Sequence, residues 1–199
     1  MYYTILMVKL ILFDGDGVVI KNRDKFFSQR LAQKQGLPLE TILPFFKNEF
    51  KECTIGKADL KEVLPKYFET WKWNGTIDEL LKFWFEGEKE VDENVIAEIE
   101  NYRKDGIKIG LVSDNEKYRG EYLLKEVGLA KYFDFVFLSC EMGMNKSNPE
   151  FFKKVLEITG FAPNEIQYWD DDCENVDVAR GLGIEAKLFY LKSAFLHLE

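Results

Sequence analysis

Five short runs of consecutive apolar residues punctuate the chain: Ile5–Phe13, Ile107–Val112, Phe135–Leu138, Ile166–Trp169 and Ala186–Tyr190. Their apolar residues follow one another instead of alternating with polar ones, which fits strands covered on both faces of a parallel sheet. Segments with helical spacing separate the later four. "NEKYRGEYLLKEVG" carries Tyr118, Tyr122, Leu123 and Val127 on one face and stops at Gly128. "NPEFFKKVLEITG" offers Asn148 as cap, Pro149 at the first helical position and Gly160 at the end. "ENVDVARGLG" is shorter and closes on Gly181 and Gly183. This alternation predicts an α/β fold, a doubly wound parallel sheet of five or more strands with right-handed crossovers.

Roughly ninety residues separate the first two apolar runs, where a crossover needs only a dozen or so. The excess reads as helical throughout. "RDKFFSQRLAQKQG" ends on Gly36, "LPFFKNEF" starts from Pro44, and "DLKEVLPKYFETW" is interrupted by Pro65. "TIDELLKFWF" opens with Thr76 and Glu79 in capping-box register. Its aromatics (among them Phe45, Phe46, Phe50, Trp71 and Trp84) are read as packing for a separate small core rather than as a ligand box. The pattern divides the chain into an α/β core, residues 1–20 and 91–199, and an all-helical insertion, residues 21–90. "DENVIAEIENYRKDG" is the helix that leads back into the second strand.

Composition narrows the functional classes. With 46% hydrophobic and 31% charged residues over 199 positions, the chain is globular. A net charge of −8 argues against nucleic acid as a partner. A small phosphorylated ligand stays compatible, because a local site can be positive on an acidic protein. No segment reads as a membrane span, and the apolar N-terminus, interrupted by Lys9, reads as a strand instead of a signal peptide. Cys53, Cys140 and Cys173 have no metal-like spacing and read as reduced thiols of a cytoplasmic protein, monomer or homodimer. The single histidine, His197, points away from histidine-dependent catalysis.

Candidate chemistry collects at strand ends. "LILFDGDGVVI" closes on Asp14 and Asp16, separated by one glycine, and "IQYWDDDCENVD" closes on Asp170 and Asp171. Taken singly, each is a turn or a helix cap. Together they bring several anions to one edge of the sheet, where they repel unless a cation sits among them. Oxygen donors without nearby histidine or thiolate suit Mg2+. Ser113, at the end of "KIGLVS", offers a hydroxyl and following backbone N–H groups to a phosphoryl oxygen, or else a helix cap, for which Asp114 and Asn115 also qualify. Lys146, before the helix of "KSNPEFF", supplies a fixed positive charge or is an ordinary surface lysine.

These four stretches in this order resemble the haloacid dehalogenase superfamily. "FDGDGVV" is similar to the first family motif, "LVSDN" to the second, "KSNPEFF" to the third and "YWDDDCENVDVARGLG" to the fourth. The helical insertion resembles the type 1 cap of the subgroup that includes dehalogenases, β-phosphoglucomutase and many sugar phosphatases. The resemblance implies a Mg2+-dependent phosphatase of a small, sugar-phosphate-like metabolite. Asp14 would be the nucleophile and Asp16 the acid/base. Ser113, Asp114 and Lys146 would bind phosphate, and Asp14, Asp16, Asp171 and Asp170 the metal. It implies too that dehalogenases lack an acid at the position of Asp16. A phosphomutase is the alternative enzyme, and a non-catalytic binding or regulatory protein is the alternative of another class. Gly56 and Lys57, in the insertion loop "CTIGKADL", are candidate substrate contacts. Three positions depart from the pattern: Gly15 in place of a large apolar residue, Asp114 in place of asparagine and Ser147 in place of proline.

Overall fold

The computed structural model describes residues 8–190 of the chain. Five parallel strands form one sheet in the order β3-β2-β1-β4-β5. They are β1 (Leu10–Asp14), β2 (Lys108–Ser113), β3 (Phe135–Leu138), β4 (Ile166–Asp170) and β5 (Glu185–Leu188). Ile5 through Met7, expected in the first strand, and His197 lie outside the described residues. The last strand runs one residue earlier than the apolar run and stops before Phe189, whose amide bonds the Asp170 carbonyl instead.

β1 is central, pairing with β2 through Leu10↔Lys108 and with β4 through Leu10↔Ile166. It is buried along its whole length, and its side chains divide between the two faces with period two. Ile11 and Phe13 join Ile109, Leu111 and the α6 (Glu93–Lys104) residues Val95, Ile96 and Ile99 on one face. Leu10 and Leu12 join Tyr168, Phe151 and Phe152 of α9 (Pro149–Thr159), and Val176 and Ala179 of α10 (Cys173–Gly181) on the other. A strand covered on both faces has no position left for a polar side chain until it ends, so the first carboxylates appear at its C-terminal edge.

Between β1 and β2 the chain forms α1 (Phe27–Gln35), α2 (Leu43–Lys47), α3 (Glu49–Thr54), α4 (Leu60–Val63), α5 (Ile77–Glu86) and then α6. The single helix expected over "LPFFKNEF" breaks at Asn48, whose φ −118° and ψ −95° are not helical. The expected interruption at Pro65 appears as a 3-10 turn over Leu64–Tyr67. Thr76 and Glu79 cap α5 reciprocally, with Thr76 N donating to Glu79 Oε2 at 2.7 Å and Glu79 N to Thr76 Oγ1 at 3.2 Å. These helices share a third apolar cluster around Phe27, Phe45, Trp71 and Trp84. The outgoing and returning chains are joined by backbone bonds: Lys21 N to Glu90 O at 2.8 Å and Asp92 N to Val19 O at 2.9 Å.

After β2 come α7 (Lys117–Glu121), continued as a π-helical turn over Tyr122–Glu126, and α8 (Ser139–Met142) follows β3. The sequence offers Ser113, Asp114 and Asn115 as caps for the helix after β2; Glu116, which is none of the three, caps α7. Among the described residues, no helix is long and apolar enough to cross a membrane.

Candidate active site

The loops after β1, β2 and β4 meet at one edge of the sheet. β1 there has neighbours reached in opposite chain directions, the position where α/β sheets hold ligands. Asp14 ends β1, Asp170 ends β4 and Asp171 follows it. One carboxylate oxygen from each of the three lies within 4.8 Å of the others. Lys146 reaches into this group from the segment before α9, its Nζ donating to Asp14 Oδ1 at 2.5 Å and to Asp170 Oδ2 at 2.7 Å.

Electrostatics separates the roles of the three acids. Burial pushes the Asp14 carboxyl well above the usual carboxylate range, against the pull of Lys146 and with further pushes from Asp170 and Asp171. For Lys146, burial favours the neutral amine, but Asp14, Asp170 and Asp114 outweigh it and raise its pKa, so it stays an ammonium. One buried ammonium therefore stands among three carboxyl groups, and a second cation has a ready place. Asp170 is already committed: besides Lys146 it accepts from Tyr168 Oη, from Asn175 Nδ2 at 3.2 Å and from Asp172 N at 2.7 Å. Asp171 is exposed and accepts from Asn22 Nδ2 at 3.3 Å. It lies over Gly17, where a Cβ would stand 2.1 Å from Asp171 Oδ2 and where φ is +100°. Only glycine meets both conditions. Oxygen-only donors, one carboxylate buried and one open to solvent, fit a hard divalent ion such as Mg2+.

Asp16 is turned to a different set of partners. Its Oδ1 accepts from Arg119 Nη2 at 2.8 Å and Arg23 Nη1 at 3.0 Å, and its Oδ2 from Asn115 Nδ2 at 3.0 Å. Burial alone would raise its pKa; the two arginines and the Arg119 and Asn115 hydrogen bonds more than reverse this and hold it at about 2. Arg119 also donates to the Glu88 backbone carbonyl at 2.6 Å, and Arg23 to Glu88 Oε2 at 3.2 Å. Asp16 is thus tied to both segments that join the helices of 27–86 to the sheet. Sequence reasoning missed Arg23, Glu88 and Arg119. Each stands in a polar stretch indistinguishable from a solvated surface, and only the return of the chain at residue 90 brings them together.

Ser113 ends β2 beneath Gly15, and its Oγ accepts from Asn115 Nδ2 at 2.7 Å. A Cβ on residue 15 would stand 2.4 Å from that Oγ, so Gly15 leaves the hydroxyl room beside the Asp14 carboxylate. Asp114 accepts from Lys146 N at 3.0 Å, which fixes the segment carrying the lysine. Glu116 caps α7, accepting from Tyr118 N at 2.8 Å and Arg119 N at 2.6 Å, and so aims Arg119 at Asp16. Burial pushes the Glu116 carboxyl up to about 7, against those two bonds. In the unfolded chain it ionises near 4.5. Its contribution to stability is therefore complete below that pH and is lost as pH rises to about 7. Glu116→Gln removes this titration. Denaturation followed by circular dichroism should show the variant gaining on the parent by up to about 3 kcal/mol between pH 4.5 and 7. A difference independent of pH would contradict the assignment.

A cavity of about 410 Å3 opens above Asp16, Asp114 and Asn115, walled by the helices of the insertion. Gly56 and Lys57, expected as candidate substrate contacts, stand elsewhere. They line a second cavity, with Cys53, Asp59, Glu116 and Cys140, which shares no lining residue with the first. The reason is local packing: Gly56 lies directly against the Cys140 carbonyl, and Thr54 O accepts from Ser139 Oγ at 2.6 Å. Part of the aromatic cluster, read from the sequence as packing alone, faces the first cavity instead.

A phosphorylated carbohydrates phosphatase of Thermotoga maritima is 23% identical over 187 residues, 89% of this chain and 83% of the relative. A D-ribitol-5-phosphate phosphatase of Bacteroides thetaiotaomicron is 26% identical, with 90% of each chain covered. A crystal structure of a HAD family enzyme from Bacteroides thetaiotaomicron superposes with a TM-score of 0.82 at 22% identity, covering 96% of this chain and 98% of that one. The same enzyme has been solved in complex with magnesium and inorganic phosphate. The family of haloacid dehalogenase-like hydrolases matches residues 8–183, and this chain, with its acidic strand ends and the lysine between them, belongs to it.

Proposed function

We propose that the protein is a Mg2+-dependent phosphatase that hydrolyses a small phosphorylated metabolite through an aspartyl-phosphate on Asp14. The observation that carries this reading is the separation of two carboxylates two residues apart: Asp14 against Lys146 on the floor, Asp16 among arginines beneath the cavity. Asp14 and Asp171, with the Asp16 backbone carbonyl, would hold the Mg2+. When bound, the ion supplies positive charge that screens the meeting of a carboxylate with a phosphate dianion. Relatives named as phosphatases of phosphorylated carbohydrates and of D-ribitol 5-phosphate support a phosphate monoester as substrate.

The protein residues divide the remaining work. Asp14 Oδ attacks phosphorus in line with the ester oxygen, and the P–O bond to the alcohol breaks as the bond to Asp14 forms. Lys146 Nζ and Ser113 Oγ hold the phosphoryl oxygens, whose charge the site is built to receive. Asp16 gives a proton to the departing alkoxide and later takes one from the water that attacks the aspartyl-phosphate. With Arg119 and Arg23 beside it, Asp16 rests as the ionised base. Its acid form requires the bound ester to replace those contacts. The three free cysteines fit a reducing cytoplasm.

Incubation with 4-nitrophenyl phosphate tests the reading. Release is expected with Mg2+, is expected to vanish on addition of a chelator, and returns when Mg2+ is restored in excess. No release from this ester or from a broad panel of phosphorylated metabolites would contradict it and favour a binding role for the fold.

A further inference from the structure

The cavity above Asp16 says more about the alcohol than about the phosphate. Its wall is made by Phe26, Phe27, Leu43, Phe46, Phe50 and Trp84. Leu43, Phe46 and Phe50 follow one another at helical spacing and are only half-buried, while Phe45 between them is fully buried in the neighbouring core. Phe26 is 54% exposed, one of three large hydrophobic residues so exposed among those described, and Arg23 lies over its ring at 5.2 Å. Apolar side chains left half-open around a concave space that Asp16 also lines mark a surface that an apolar group completes.

The polar groups around the same space are largely occupied by one another. Glu88 accepts from Phe27 N at 2.5 Å, Trp84 Nε1 at 3.2 Å, Arg23 at 3.2 Å and Arg30 at 3.4 Å. The indole N–H is therefore turned to Glu88, and both oxygens of Glu88 are taken. Arg23, Arg119 and the Asn115 amide N–H are engaged with Asp16, which leaves Arg23 Nε and Arg119 Nη1 as buried donors without a protein partner among the described residues. Ser28 is the one hydroxyl in the lining. The free donors sit on the two guanidinium groups beside Asp16, so a polyol reaching past them would exchange water for an apolar wall, and each hydroxyl left unpaired there lowers its affinity. A ring-bearing hydrocarbon group would meet aromatic faces and lose nothing.

We propose that this site selects phosphate monoesters of largely apolar, ring-bearing alcohols, of arylalkyl size, over esters of polyols. The proposal rests on the phosphatase reading above and departs from the carbohydrate names of the relatives. The experiment compares kcat/KM for 2-phenylethyl phosphate and a pentitol phosphate with the full chain in Mg2+. Both esters release alkyl alcohols, so the comparison reports the fit of the leaving group and not its acidity. 4-Nitrophenyl phosphate serves as the control for competence. The phenylethyl ester is expected to lead by at least about tenfold. Phe50→Ser should reduce that ratio about tenfold, chiefly through KM for the phenylethyl ester, and Leu43→Ser should reduce it likewise if the Phe50 variant does not fold. A ratio at or below one, with 4-nitrophenyl phosphate hydrolysed, overturns the selectivity and leaves the phosphatase reading standing. No release from any of the three overturns both.

Discussion

Asp14→Asn is expected to lower kcat by about 10^4-fold or more, because it removes the group that forms the covalent bond and no neighbour can take over. Ser113 is held by Asn115, and Asp170 is saturated by Lys146, Tyr168, Asn175 and the Asp172 amide. The fold should survive the change. Asp14 is one of three acids crowded at the floor, its own ionisation is opposed by burial, and Lys146 keeps Asp170 as partner. Steady-state rates with circular dichroism as control check this. Residual activity within tenfold of the parent would move the nucleophile elsewhere.

Asp16→Asn should lower kcat for an alkyl phosphate by about 10^2- to 10^4-fold, the usual range for a positioned proton donor and acceptor. Mg2+ binding, followed by calorimetry, should be preserved, since the Asp16 carboxylate points to Arg119, Arg23 and Asn115 and away from the Asp14–Asp171 pair. The loss should be smaller for 4-nitrophenyl phosphate. Its leaving group departs without a proton, so only the later activation of water suffers. Equal losses in kcat/KM, which reports transfer to Asp14 and not the hydrolysis shared by both esters, would show that Asp16 acts structurally, through its tie to the arginines, and not by giving a proton to the leaving group.

The sheet could be read from the chain because its strands are covered on both faces, so that burial alone writes continuous apolar runs at β2, β3 and β4. The floor of the site was legible for the same reason. A strand without polar positions has to place Asp14 and Asp170 at its end, and parallel strands put those ends on one edge. The Asp16 surroundings were not legible. Arg23, Glu88 and Arg119 come from three separate segments, and their meeting depends on how the insertion returns to the sheet at Val19–Lys21 and Glu90–Asp92. The recurrence of Leu43, Phe46 and Phe50, carried by α2 and α3, is visible as spacing, but spacing does not say whether apolar side chains meet protein or an open cavity. Gly56 shows the converse: a glycine in an exposed-looking loop serves close packing on Cys140, which no local pattern announces.

All of this turns on whether the phosphoryl group is handed to Asp14 before it reaches water. A phosphorothioate ester made chiral with two oxygen isotopes and hydrolysed in water of the third, or a phosphate ester chiral by three isotopes whose phosphoryl group is transferred to an acceptor alcohol, reports that directly. Two successive in-line displacements predict retention of configuration. Inversion would mean a single attack by water, and would contradict the account.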